Sequence, residues 1–208
     1  MAGPPLNLLQ TIKSVKHLLI PCALLLPILP LKGEFTIADS AADFSSEQGD
    51  RGWSYGSGYG KSFDTSGWTY TESRWELNKG PGIGLGFLGN YPVVDQNVTS
   101  YTQVFSKSVE TLTRAWTADR NYGEVSIAAR LYFVTIGGDG VVLTVYHNSK
   151  ELISIPIEND EEPFVWRDVV DVKCTLKAGD SIYFTLSSGS GNDSTNDNCA
   201  FIATITSE

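Results

Sequence analysis

Aromatic side chains are concentrated in a glycine-rich stretch, residues 50–89, and they are the first candidates for chemistry. The cluster consists of Trp53, Tyr55, Tyr59, Trp68, Tyr70 and Trp75. Exposed aromatic faces can stack on the apolar faces of sugar rings, while polar side chains bind the sugar hydroxyls. The polar residues close by in sequence are Asp50, Arg51, Asn78 and Asn90. The pattern therefore predicts a carbohydrate-binding surface.

The same aromatic residues could instead fill a core, because tryptophan and tyrosine bury large areas. Trp116 and Trp166 lie in apolar strand-like surroundings, and we predict that both are core residues. Trp53 and Tyr55 fit either role equally well. Flanking glycine, serine and threonine predict exposure for three others: Tyr59, Trp68 and Tyr70.

Catalytic motifs are scarce in this sequence. His147 is the one histidine after residue 38, and no nucleophile elbow precedes it. A glycosidase requires two carboxylates about 5–9 Å apart. The sequence does not show which of its candidate carboxylates converge: Glu72, Glu76, Asp139, Asp168 and Asp171. We therefore expect a protein that is not an enzyme, with a glycan-active enzyme as the minor alternative.

Metal ligation has one candidate, the polar loop of residues 192–198. Asp193 and Asp197 are its carboxylates, and Ca²⁺ prefers six to eight oxygen ligands. The loop lacks EF-hand spacing, and asparagine and aspartate are also common in ordinary turns. We therefore expect no cofactor, with Ca²⁺ at this loop as the alternative. One histidine and no closely spaced cysteine pair exclude an ordinary zinc site.

The composition excludes further classes of function. The chain has 208 residues, of which 41% are hydrophobic, so it can bury a core and is not generally disordered. Its 24 acidic residues outnumber its 15 basic residues, and the formal net charge is −9. Nucleic-acid binding depends on basic patches that displace counterions, so we expect no nucleic-acid partner.

The first 38 residues resemble a targeting segment. Lys13 and Lys16 precede an uncharged apolar run, residues 18–31. This run contains three prolines and is shorter than the about 20 residues that a transmembrane helix needs. Such a pattern is typical of a secretory signal, and the small residues at 38–42 predict cleavage there. The alternative is an uncleaved hydrophobic helix that anchors the chain. Either way, we expect a secreted, periplasmic or membrane-anchored extracytoplasmic domain.

Export would leave two cysteines in the folded domain, Cys174 and Cys199. An even number of cysteines in an exported domain favours a disulfide. Two buried free thiols are the alternative, because free cysteine is an ordinary core residue. We predict the disulfide, since both cysteines fall on predicted strands near the C-terminus.

Residues 43–208 are predicted to form an all-β domain. Apolar and polar residues alternate between Val125 and Phe133, which is the period of a half-buried strand. Glycine and aspartate turns separate the further predicted strands: 141–146, 152–157, 164–176, 181–186 and 199–206. Strands at intervals of about 8–12 residues are typical of a sandwich or barrel. The predicted fold is an antiparallel β-sandwich of jelly-roll type, preceded by the N-terminal hydrophobic helical segment.

Several motifs resemble those of exported bacterial β-sandwich modules. Residues 43–56 resemble the opening pattern F-S-x-x-Q-G-x-x-x-W-x-Y-G of such modules. Further matching segments follow in the same order: 114–116, 123–127, 138–141 and 178–184. The resemblance covers most of residues 43–206. It implies a jelly-roll fold similar to that of carbohydrate-binding domains.

Two functions remain open at this point. The first is non-catalytic binding of a polysaccharide or glycan, or of another extracytoplasmic ligand, through the aromatic cluster. The second is a structural or accessory role in a membrane or envelope complex, with protein subunits as partners and residues 1–38 as the anchor. The fate of residues 1–38 separates the two, because a free secreted binder would lose them.

Overall fold

A computed structural model describes residues 34–71, 74–77, 85–89, 100–104, 111–134, 136–159, 163–189 and 199–207. The N-terminal segment predicted to be helical lies almost wholly outside these residues. No helix within the described ranges is long and apolar enough to cross a membrane. The described residues form two antiparallel sheets, which confirms the prediction of an all-β sandwich.

The larger sheet has eight strands within the described ranges. They are β1 (Thr36–Asp39), β3 (Trp68–Thr71), β4 (Arg74–Leu77), β5 (Leu85–Gly89), β6 (Ser100–Val104), β8 (Gly123–Phe133), β11 (Arg167–Leu176) and β13 (Cys199–Ser207). Their order is β11-β8-β13-β6-β5-β4-β3, and β1 also pairs with β13.

The smaller sheet has five strands in the same described part of the chain. They are β2 (Trp53–Ser57), β7 (Leu112–Thr117), β9 (Val141–His147), β10 (Lys150–Ile157) and β12 (Ser181–Ser188). Their order is β10-β9-β12-β7-β2. Two short 3₁₀ turns flank β2 along the chain, Asp50–Gly52 and Gly60–Ser62.

Strand β8 shows how alternation in the sequence becomes a core. Val125, Ile127 and Leu131 point inward and are fully buried, whereas Ser126 and Arg130 point away from the core. Successive side chains of a strand face opposite sides of the sheet, so one strand supplies both a core face and an outer face. The inward residues of both sheets belong to one apolar cluster that includes Trp53, Trp116, Phe184 and Phe201. The prediction that Trp116 is a core residue is confirmed.

Arg114 of β7 is an exception within this apolar interior, because its side chain is 1% exposed. Its Nη1 donates hydrogen bonds to Ser40 Oγ at 3.3 Å and to the carbonyl oxygen of Phe201 at 3.2 Å. The rings of Phe44, Tyr55 and Phe201 have centroids 5.9–6.0 Å from the guanidinium carbon, within cation–π range. Burial lowers the pKa of Arg114 to about 10, so the side chain remains charged at neutral pH. The charge of Arg114 on the smaller sheet is therefore stabilised in part by Ser40 and Phe201, which lie beside and within strands of the larger sheet.

Strand β1 brings Ser40 to this charge. The backbone N–H of Ser40 donates to the carbonyl oxygen of Ala203, and Ser40 Oγ accepts a 2.8 Å hydrogen bond from the N–H of Ala203. At the opposite end of β1, the N–H of Ser207 donates to the carbonyl oxygen of Phe35. Strand β1 precedes residue 43, the expected start of the sandwich, and is part of it.

The predicted disulfide between Cys174 and Cys199 is wrong, because both cysteines are free. Cys174 lies opposite Val125 and Cys199 lies opposite Phe133, at the two ends of β8. Eight residues of strand separate these positions by about 27 Å, and a disulfide requires Cα atoms within about 7 Å. Burial raises the pKa of the Cys174 thiol to about 11, which keeps it protonated and unreactive at neutral pH.

We expect the substitution Ser40→Ala to lower the free energy of unfolding by about 1–3 kcal/mol, the cost of leaving a buried donor without its acceptor. The variant removes the acceptor of both the Ala203 N–H and Arg114 Nη1. Urea unfolding monitored by tryptophan fluorescence measures the change. Ser46→Ala, at an exposed bend, is the matched control. Equal stability of the two variants would contradict the role of Ser40.

Candidate functional site

The six aromatic residues of the predicted cluster do not share one surface. Trp53 and Tyr55 are fully buried, and Trp68 and Trp75 are 6% and 5% exposed. The prediction that Trp68 is exposed is therefore wrong, because its ring packs into the main core cluster. Tyr59 and Tyr70 are 36% and 37% exposed, as predicted. Trp53 and Tyr55 are buried together because alternate residues of a strand face the same side of the sheet, which for these two residues of β2 is the core.

Buried members of the cluster form a row of rings that ends at the surface. Tyr55 stacks on Trp75 with ring centroids 5.5 Å apart, and Trp75 meets the edge of Tyr70 at 5.6 Å. Trp75 Nε1 donates a 2.8 Å hydrogen bond to the carbonyl oxygen of Ser45, so its polar atom is satisfied. In these contacts Tyr55 and Trp75 are structural, and Tyr70 is the exposed end of the row.

Tyr59 forms a different arrangement, in which its ring lies flat on that of Tyr146. The two ring centroids are 3.6 Å apart and the planes differ by 8°. Tyr146 belongs to β9, where Leu143 and Val145 face the core, so Tyr146 faces the outer side of the smaller sheet. We call Tyr59 and Tyr146 the tyrosine platform. One face of Tyr59 is covered by Tyr146, and the side chain as a whole is 36% exposed.

Residues 58–63 carry Tyr59 over the outer side of the smaller sheet. Gly58 has a φ of +74°, and a Cβ there would lie 2.6 Å from the carbonyl oxygen of Ser62, so the loop closes tightly only with glycine. Beyond Tyr59, Ser62 Oγ donates to the carbonyl oxygen of Tyr59 at 2.8 Å. Phe63 then meets Tyr183 edge-on at 5.3 Å. Ring contacts at both ends of the loop therefore hold it on the sheet.

A hydrogen-bonded turn supports the loop from below. Gly60 packs against the backbone of Asn148 and Ser149 in the β9–β10 turn. Asn148 has a positive φ of 57°, and its Nδ2 donates to Asp180 Oδ1 at 2.9 Å while its Oδ1 accepts from the N–H of Ser181 at 2.9 Å. The β9–β10 turn is thus tied to the β11–β12 turn, and Tyr59 rests on a fixed base.

Asp180 is the electrostatic centre of these two turns. It accepts hydrogen bonds from Asn148 Nδ2 and from the backbone N–H of Lys177, and it lies 3.1 Å from His147 Nε2. These donors lower the pKa of Asp180 to about 2. The carboxylate is therefore charged at all but strongly acidic pH, and it holds both turns in place.

The tyrosine platform carries hydrogen-bonding groups as well as ring faces. Burial, a hydrogen bond with the Tyr59 phenol and the charge of Glu151 raise the pKa of Tyr146 to about 12. The phenol of Tyr146 therefore stays protonated at physiological pH. Lys61, Ser62 and Ser149 are exposed around it. Chemically, such a surface can stack on an apolar ring face and bond the hydroxyls beside it.

Predicted polar companions of the aromatic cluster lie elsewhere. Asp50 and Arg51 precede β2 whereas Tyr59 follows it, so about 17 Å of strand separates them. Arg51 is bound to Asp43 at 3.2 Å instead. Asn78 and Asn90 lie outside the described residues.

Among the described residues, the carboxylates considered for catalysis do not form an acid–base pair. Asp168 is exposed on β11 and bound to Arg130 at 3.0 Å. Asp171 lies further along β11, and Asp139 lines a separate cleft with Glu158 and Asn159. Glu72 lies outside the described residues, and the side chain of Glu76 is not described.

The predicted calcium ligands, Asp193 and Asp197, also lie outside the described residues. Among the residues that are described, no three His, Cys, Asp or Glu side chains are grouped so that they could hold a metal ion.

Sequence reasoning missed Tyr146, the partner that makes Tyr59 a platform. The signal was present in β9, where Leu143 and Val145 alternate with Thr144 and Tyr146. Such a period of two indicates that the threonine and the tyrosine face away from the core. Trp166 also differs from the prediction, because it is only partly buried and packs edge-on against Tyr132 at 4.5 Å, apart from the main core.

No family model and no curated protein matches the chain. Among solved structures, it is similar to a family 35 carbohydrate binding module from Clostridium thermocellum, with 12% identity, a TM-score of 0.40, and coverage of 59% of this chain and 88% of that one. It is also similar to a carbohydrate binding module of Cellvibrio mixtus lichenase 5A in complex with cellotriose, with 13% identity, a TM-score of 0.39, and coverage of 84% and 99%.

A third similar structure is a cycloisomaltooligosaccharide glucanotransferase from Paenibacillus sp., with 16% identity and a TM-score of 0.36. The match covers 66% of this chain but only 19% of that enzyme. With TM-scores of 0.36 to 0.40, none of these likenesses assigns a ligand or an activity to this chain.

We expect the stabilising effect of Asp180 to disappear in acid. Its pKa in the folded protein, about 2, lies below the ordinary value near 4, so the ionised carboxylate stabilises the fold above pH 4 and loses this effect as the pH falls towards 2. Asp180→Asn should lower the free energy of unfolding at pH 7 by about 1 kcal/mol, a value reduced for solvent screening.

Urea unfolding of both proteins at pH 7 and pH 2 measures this difference, with Asp50→Asn as an exposed-carboxylate control. The difference in stability between the wild type and Asp180→Asn should be much smaller at pH 2, where about half of the Asp180 carboxylate is protonated. A stability difference that is the same at both pH values would show that the Asp180 charge is not the cause.

Proposed function

We propose that this protein binds a glycan through the tyrosine platform and has no catalytic role. The observation that carries the proposal is the parallel stack of Tyr59 on Tyr146, with Tyr59 36% exposed. An exposed ring that is backed by a second ring and by a rigid turn is preorganised, because binding need not order it.

The surroundings of the tyrosine platform favour a sugar over a purely apolar ligand. A protonated phenol at Tyr146 and the exposed serines Ser62 and Ser149 lie around the ring. An apolar ligand would displace water from these polar groups without replacing its hydrogen bonds, at a cost in affinity. A sugar presents both an apolar ring face and hydroxyls, and so it satisfies both kinds of group.

We expect Tyr59→Ala to weaken glycan binding by about 1–3 kcal/mol, the scale of losing one central aromatic contact. Tyr59→Phe keeps the ring and should retain most of the affinity. Affinity electrophoresis in gels containing xylan, galactomannan, mixed-linkage β-glucan or dextran measures the retardation. Tyr70→Ala tests the other exposed ring of the aromatic cluster, whose side chain is 37% exposed.

Two results would overturn the proposal. The first is that none of these polysaccharides retards the wild type. The second is that Tyr59→Ala is retarded as strongly as the wild type while remaining folded by circular dichroism.

We propose further that residues upstream of the sandwich direct it out of the cytoplasm. Support comes from the sequence, in which Lys13 and Lys16 precede the apolar run. The described fold adds a constraint on processing. Cleavage at residues 38–42 would remove most of β1, and a cut after Ser40 would also remove a hydrogen-bond partner of the buried Arg114. Any cleavage compatible with this fold therefore occurs before Thr36.

The intact mass of the protein isolated from its native source tests this expectation. We expect a mature N-terminus at or before Thr36, because β1 must remain attached. A start at residues 39–43 would contradict it. Retention of Met1 would instead favour the alternative function, an anchored accessory subunit of a membrane complex.

A further inference from the structure

A second surface lies on the other side of the molecule, on the outer face of strands β11, β8 and β13. These three strands form a groove of about 700 Å³. Its floor consists of small side chains: Ser126, Ala128, Thr204 and Thr206. Its sides carry the charged residues Glu34, Asp171 and Lys173.

The strand registers explain why these residues converge. Ala128 of β8 lies opposite Asp171 of β11 on one side and Thr204 of β13 on the other. Ser126 likewise lies between Lys173 and Thr206. Because Val125, Ile127 and Ala129 face the core, the side chains between them must face outward. Small residues on the central strands and longer ones on the flanks produce a groove.

Hydroxyl groups and a balanced set of charges characterise the groove. Thr206 Oγ1 donates a 2.9 Å hydrogen bond to Glu34 Oε1, which fixes one wall. Glu34 and Asp171 are acidic and Lys173 is basic, so the groove has no strong excess of either sign. A polyanion or a polycation would meet repulsion from part of this surface. A neutral ligand rich in hydroxyls would meet both acceptors and donors.

An aromatic side chain lies at one end of the same face. The guanidinium of Arg130 is 5.4 Å from the ring centroid of Trp166, and Arg130 is bound to Asp168 at 3.0 Å. Tyr132 supports Trp166 from the side. From Ser126 to Tyr132, β8 extends this face over about 20 Å. That length accommodates a chain of several sugar units, with Trp166 at its end.

We propose that the outer face of β11, β8 and β13 is a second glycan-binding surface, which takes an extended neutral polysaccharide chain. The carboxylates of Glu34 and Asp171 accept hydrogen bonds from sugar hydroxyls, and Lys173 and Thr204 donate to them. This inference rests on the proposed function of glycan binding, and it makes the domain bivalent. One polysaccharide could then engage both faces, which raises overall affinity without new contacts.

The test fills the groove and leaves the tyrosine platform intact. Ala128→Arg places a long side chain on the floor, at an outward position that the core does not use. Ser46→Arg is the matched control, because it adds the same charge at an exposed bend outside β11, β8 and β13. Circular dichroism and the urea unfolding midpoint check that both variants are folded.

Affinity electrophoresis with xylan, galactomannan, mixed-linkage β-glucan and dextran compares the wild type, Ala128→Arg, Ser46→Arg, Tyr59→Ala and the double variant Tyr59→Ala/Ala128→Arg. We expect Ala128→Arg to raise the dissociation constant about tenfold for a long chain, through loss of bivalence. Ser46→Arg should bind as the wild type does. The double variant should lose the binding that Tyr59→Ala retains.

The outcomes separate this inference from the proposed function. If Ala128→Arg binds as Ser46→Arg does while Tyr59→Ala is impaired, the second surface is wrong and the proposed function stands. If the wild type binds none of the four polysaccharides, both are wrong. If light scattering shows a wild-type dimer that Ala128→Arg dissociates, this face is an interface between copies and the inference is overturned.

Discussion

A single buried charge, that of Arg114, determines how the two sheets are joined. Removing a guanidinium from water costs several kcal/mol, and the cost is recovered only if hydrogen bonds and ring faces surround the charge. Arg114 belongs to the smaller sheet, whereas Ser40 and Phe201 lie beside or within strands of the larger one. Groups from both sheets therefore meet at this charge, and loss of the segment that carries Ser40 would remove one of its hydrogen-bond partners.

The outer faces of the two sheets do not contribute to this interior, and their side chains differ. The outer side of the smaller sheet is covered by the 58–63 loop, whose aromatic side chains pack on Tyr146 and Tyr183. The outer side of β11, β8 and β13 is open and lined by small polar residues. One sandwich thus presents an aromatic platform on one side and a hydroxyl-lined groove on the other, and both suit neutral polyhydroxylated ligands.

Rigidity at the tyrosine platform comes from turns rather than from the sheet itself. Asp180 joins the β9–β10 turn to the β11–β12 turn, and Gly60 rests on the first of these. Tyr59 lies on a loop, where conformational entropy would ordinarily oppose binding. Support from the turns means that much of this entropy is lost on folding, so less is lost when a ligand binds.

The all-β class and most strand positions follow from the sequence alone, because alternation in β8 and β9 depends only on which neighbours face the core. The sequence also identified Tyr59 and Tyr70 as exposed, since their flanking residues are small and polar. The folded arrangement was needed to show that Trp68 is buried, that Tyr146 lies under Tyr59, and that Cys174 and Cys199 lie at opposite ends of β8. These facts depend on strand order and register, which arise from contacts between residues far apart in the chain. Local patterns cannot contain that information, because a strand with the same alternation can pair with any of several partners.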